Sequence, residues 1–153
     1  MNTLIQKSNE WLNTLIMRSE RNAVGRLTLY RILYAVFYLW MIARYDLPII
    51  ASIPTAEWDP LITMSWLSAP PSAEFFIVMQ FFLVFGLIML AFGSYVRTSI
   101  VVVIISGTTL AMMRYGFGKI DHYDTFLAFY TPLVMFFYNW GSNYSFDALM
   151  KKR

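Results

Sequence analysis

FFIVMQFFLVFGLIMLAF, Phe75 to Phe92, runs for eighteen residues without a charge. A helix rises about 1.5 Å per residue, so this run covers about 27 Å, close to the roughly 30 Å hydrocarbon core of a bilayer. Three more stretches share its character: LTLYRILYAVFYLWMIA at 27–43, TSIVVVIISGTTLAMM at 98–113 and TFLAFYTPLVMFFYNW at 125–140. Any one of them could be a buried helix of a soluble all-α protein. The chain, however, has 153 residues that are 58% hydrophobic, with 12 basic and 9 acidic side chains in all. Charged residues are 14% of the chain, against about a quarter in ordinary soluble domains. The expected fold is therefore an all-α integral membrane protein, a four-helix transmembrane bundle.

Cysteine is absent and His122 is the single histidine, which argues against disulfides, thiolate sites and Cys/His zinc sites. No metal and no nucleic-acid partner are expected. Charge sets the direction of the spans. Lys7, Arg18, Arg21 and Arg26 precede the first, Arg97 lies between the second and third, and Lys151, Lys152 and Arg153 close the chain. The other side mixes Arg44, Arg114 and Lys119 with Asp46, Glu57, Asp59, Glu74, Asp121 and Asp124. Both termini should face the cytoplasm, in a bacterial cytoplasmic (inner) membrane.

Three regions follow. Residues 1–25 lack the apolar core and cleavage site of a signal peptide. Leu4, Ile5, Trp11, Leu12, Leu15 and Ile16 fall near one helical face, as in an N-terminal interfacial amphipathic helix or one packed on a partner. Residues 26–149 form the four-span domain, with an outer loop at 46–74, and 150–153 are a basic cytoplasmic tail. The outer loop holds Pro48, Pro54, Pro60, Pro70 and Pro71, and reads as a folded lid. Within it, DPLITMSWLSA could form a short helix with Asp59 as N-cap and Pro60 at the first position.

Polar groups within the spans are the candidates for function. Arg31 lies about one turn into the first span. It can snorkel to headgroups, form a buried pair, or make a headgroup site with Arg26 or Arg97. Arg97 should meet lipid phosphate. Tyr30, Tyr34 and Tyr38 recur at i, i+4 and i+8, and their hydroxyls need partners where buried; Gln80, Ser106, Thr108 and Thr109 are the expected mates. Tyr30, Arg31, Tyr34, Tyr38 and Arg97 are therefore the candidate cofactor-binding set. It serves either plain helix packing or an aromatic pocket for a quinone ring or a lipid chain. Gly86 and Gly107 permit close helix approach, and Pro132 should kink the fourth span and free a carbonyl.

GKIDHYDTFLAFY, Gly118 to Tyr130, gathers Lys119, Asp121, His122 and Asp124 just beyond Arg114. Asp121 and Asp124 suit a helix start, where carboxylates cap and favour the dipole. Alternatively His122 moves a proton, with the neighbouring charges setting its basicity.

YRILYAVFYLW at 30–40, the loop ending WDPLITMSWL, LAFGSYVRTS at 90–99, DHYDTFLAFY, and NWGSNYSFDAL at 139–149 occur in an order that resembles the transmembrane domain of the vitamin K-dependent gamma-carboxylase family, also called the horizontally transferred transmembrane (HTTM) family. The resemblance covers roughly 26–149. In the carboxylase it implies oxygenation of reduced vitamin K to drive glutamate carboxylation, and it places His122 where that enzyme has a histidine. The catalytic lysine belongs to a segment beyond the Tyr-Ser-x-Asp stretch, and no lysine of this sequence inherits its role. Glutamate carboxylation is therefore not expected. The leading expectation is a small accessory subunit of a larger membrane complex, in contact with lipids and other membrane subunits. The alternative is a quinone- or lipid-handling redox protein. Four spans without an inverted repeat speak against a transporter.

Overall fold

A computed structural model of the protein describes residues 25–44, 47–54, 57–59, 61, 65, 67–118, 125–137, 145 and 150. The regular elements among them are all helical. Helix α1 covers 25–42, α2 is Ala73–Phe92, α3 is Val96–Tyr115 and α4 covers 125–137. Each falls on one of the four apolar runs. The amphipathic helix expected at the N-terminus and the tail at 151–153 lie outside the described residues.

The turn between α2 and α3 is closed by the backbone. The Gly93 N–H donates to Leu90 O at 3.1 Å and the Ser94 N–H to Met89 O at 3.0 Å. This pairing satisfies carbonyls that a helix end would otherwise orphan. Gly93 sits at φ 70°, ψ 34°, a left-handed conformation that favours glycine. Tyr95 is left-handed too, at φ 45°. Ser99 steadies it, its N–H reaching Tyr95 O at 2.9 Å and its hydroxyl reaching Ser94 O at 3.0 Å.

Helices α2 and α3 pack closely because Gly86 leaves room. A Cβ at Gly86 would lie 3.1 Å from methyls of both Val102 and Val103. Leu83, Leu87 and Leu90 of α2 and Ile100, Val103 and Leu110 of α3 belong to the shared core. Among the described residues these two helices are long and apolar enough to cross a membrane, with mean hydropathy 2.6 and 1.7.

Beyond α1 a short 3-10 helix, Leu47–Ser52, packs on α2. Of the stretch expected to form a short helix from Asp59, the described residues Asp59, Leu61, Ser65 and 67–69 are not helical, and the others lie outside the described residues. The Asp59 N–H donates to Gly116 O at 2.7 Å, at the end of α3. Trp58 lies against Gly116, its ring is tilted against that of Phe117 with centroids 5.0 Å apart, and its indole N–H donates to Leu67 O at 3.2 Å. The loop is thus docked on the end of α3 at Trp58 and Asp59.

Candidate functional site: the buried seam of helix α1

Thr28, Arg31, Tyr34, Ala35, Tyr38 and Ile42 are the buried residues of α1. Steps of three and four residues place them on one inward stripe. Arg26, Tyr30, Val36 and Phe37 fall on the outward side. The expected tyrosine face is therefore split. Tyr34 and Tyr38 are buried, whereas Tyr30 is half exposed. Positions four apart advance by about 400°, so a run at i, i+4 and i+8 drifts about 40° per step around a helix of 3.6 residues per turn.

Tyr34 finds its partner in α4. Its hydroxyl donates to the Leu127 carbonyl at 2.6 Å. The local structure of α4 explains why that acceptor is open. Phe126–Tyr130 is a π-helical turn, and the Thr131 N–H donates to Phe126 O, five residues back. In α register Leu127 O would receive the Thr131 N–H, which is already used. In π register it would receive the N–H of residue 132, and Pro132 has none. The expected proline effect thus occurs, as a widened turn with one open carbonyl. The mates expected from α2 and α3 do not serve Tyr34. Ser106 donates to Val102 O within its own helix at 2.6 Å, and Thr108 Oγ1 is buried with no hydrogen-bond partner.

Tyr38 lies one turn along the stripe, its ring 5.9 Å from that of Tyr34. Its hydroxyl would be 3.0 Å from a Cβ at Gly107, and Ala128 of α4 would be 3.3 Å from the same atom. Gly107 is thus the point where α1, α3 and α4 converge, and a side chain there would push them apart.

Arg31 is fully buried, so it does not snorkel. A Cβ at Gly93 would meet its two terminal nitrogens at 2.7 and 2.8 Å and the Ser145 Cβ at 2.5 Å. The guanidinium therefore rests on the bare backbone of the α2–α3 turn, beside Ser145, itself buried. Three separated parts of the chain meet at this charge. Arg26 and Arg97 are exposed and do not share its enclosure.

At the other end of the bundle, the Tyr115 hydroxyl and Thr125 Oγ1 share a hydrogen bond that ties α3 to α4. Arg114 lies partly buried beside it. Lys119, Asp121, His122 and Asp124 connect these two helices in sequence and lie outside the described residues. Of the candidate cofactor set, Arg31, Tyr34 and Tyr38 come together on the inward stripe. Tyr30 faces outward and Arg97 stands at the start of α3. Sequence reasoning did not find Gly93, Ser145 or the Leu127 carbonyl. Only the last left a readable trace, a proline five positions on.

The chain matches no protein-family model, no curated protein and no solved structure.

Proposed function

We propose that the chain is a four-span integral membrane protein. It acts as a small accessory subunit of a larger membrane assembly, contacting partner helices and lipid, with both ends on the cytoplasmic side of a bacterial inner membrane. One observation carries the reading. The membrane-length window of α2 has mean hydropathy 2.6, yet only 28% of it is buried by the rest of the chain. A core helix of a soluble protein passes the hydropathy test by being enclosed. This one presents Ile77, Phe81, Phe85, Ile88 and Phe92 outward. A helix apolar on every side needs an apolar surrounding on every side.

The distribution of charge agrees. Among the described residues Arg31 is the one charge within a helix body, and it is enclosed. The remaining helix charges, Arg26, Glu74, Arg97 and Arg114, stand at helix ends. The buried Tyr34 hydroxyl of the seam is spent on joining α1 to α4, which favours a packing role over turnover. Kinship with the gamma-carboxylase transmembrane family is part of this proposal, without its glutamate carboxylation.

The experiment is purification of the native assembly in mild detergent. The chain should leave the membrane in fixed ratio with larger subunits, and His122→Ala should leave that ratio unchanged. Isolation as a lone monomer carrying a quinone, with turnover abolished by His122→Ala, would overturn the accessory reading in favour of a redox one.

A further inference from the structure

Outside the seam, α1 and α4 leave an open groove of about 280 Å³ lined by Tyr30, Phe126, Tyr130, Thr131 and Val134. Phe126, Tyr130 and Val134 recur every four residues, so the groove follows the α4 axis for about 12 Å. The Tyr34 to Leu127 hydrogen bond sets the register between the helices. Tyr30 lies one turn from Tyr34 toward the start of α1, and Arg26 lies one turn beyond Tyr30 on the same flank, exposed. The end of the groove nearest the start of α1 thus lies about one helical turn from Arg26.

We propose that this groove seats one acyl chain of an anionic phospholipid, with the lipid phosphate held at Arg26. The inference rests on the membrane reading above and adds a specific occupant. The volume falls below the about 300–1,000 Å³ of enclosed small-molecule sites, and the groove is open along its side. A single flexible chain lying against aromatic rings fits that shape better than an enclosed ring system. The headgroup follows from charge. Arg26 and Arg97 are both exposed at this end, whereas the described acids, Glu57, Asp59 and Glu74, all precede α2 or open it at the other end. A guanidinium offers a phosphate two parallel N–H donors.

The test is native mass spectrometry of the full chain taken from vesicles of equal palmitoyl-oleoyl phosphatidylglycerol and phosphatidylcholine. Wild type should retain one phosphatidylglycerol in preference to phosphatidylcholine. Val134→Trp, which fills the groove, and Tyr130→Ala, which removes a wall without adding bulk, should each lose the retained lipid at an unchanged unfolding temperature. Arg26→Gln should keep a bound lipid but lower the headgroup preference about fivefold. Equal retention of the two lipids by wild type, undiminished retention by both groove variants, or an unchanged preference in Arg26→Gln overturns the proposal. So does a cross-linked dimer through Val134→Cys, which this cysteine-free chain allows to be read without background. Alkaline carbonate extraction separates the two levels. Release of the chain removes the membrane reading and the groove with it, while retention in the membrane without a lipid preference removes the groove proposal alone.

Discussion

The Tyr34 hydroxyl donates to the Leu127 carbonyl at 2.6 Å, ninety-three residues away in sequence and five residues before Pro132. The proline and the π turn remove both helical donors from that carbonyl, and the tyrosine of another helix supplies one. In a hydrocarbon surrounding no water would do so, and an open carbonyl is costly.

Tyr34→Phe should lower stability by about 1 kcal/mol. This lies between the about 0.6 kcal/mol average of interhelical hydrogen bonds in membranes and the about 1–3 kcal/mol for orphaning a buried acceptor. Pro132→Ala restores an N–H in α4, so the same change should cost less in that background. Denaturant titrations of the four chains in micelles measure the coupling. Strictly additive effects would show that Pro132 and Tyr34 do not act on the same carbonyl.

Gly93→Ala should destabilise far more than Gly118→Ala. Both glycines have positive φ, 70° and 75°, so both substitutions carry a left-handed cost of about 1–2 kcal/mol. A Cβ at Gly118 meets nothing within 4 Å, whereas one at Gly93 strikes Arg31 and Ser145. Thermal unfolding of the two variants should therefore separate clearly. Equal shifts would mean that the guanidinium is not seated on the turn.

Gly107→Ala should cost about 1–3 kcal/mol, the usual range for overpacking. The nearest obstacle to its methyl is the Tyr38 hydroxyl at 3.0 Å. Removing that oxygen in Tyr38→Phe should recover part of the loss. If the double variant is no more stable than Gly107→Ala alone, the crowding comes from Ala128 instead.

Single cysteines offer a check on orientation. Arg26→Cys and Arg97→Cys should react with an impermeant maleimide from the cytoplasmic side, and Arg44→Cys and Glu74→Cys from the outside. Labelling of all four from one side is incompatible with antiparallel membrane-crossing helices.

Trp58→Ala should loosen the loop between α1 and α2 while leaving the bundle intact. The indole covers Gly116, and the adjacent Asp59 N–H is bonded to Gly116 O. Hydrogen exchange at the Asp59 amide should rise by about tenfold or more, with α2 and α3 amides unchanged, as expected of local opening. Equal acceleration throughout would place Trp58 in the stability of the whole bundle.

The four helices were legible because each is a long apolar run, and hydropathy needs no knowledge of neighbours. The docking of Trp58 and Asp59 on Gly116 was not legible, because a capping signal at Asp59 is local and that contact is not. Gln80, Ser106, Thr108 and Thr109 were plausible mates for a buried tyrosine by side-chain chemistry. The actual acceptor is a main-chain oxygen, and every residue carries one. Its availability depends on helix register, which composition does not encode.

Sequence by itself determined that the described elements are helices, which stretches are apolar at membrane length, and which ends carry the basic residues. These follow from transfer free energies that add residue by residue along one strand of chain. Tertiary structure alone decided which face of α1 turns inward. It buries Arg31 on the backbone of Gly93 and sets Tyr34 on Leu127, and it turns Tyr30 out toward the groove. Those outcomes depend on how closely two helices can approach and on which backbone groups a neighbouring segment leaves open, and both are properties of pairs of helices.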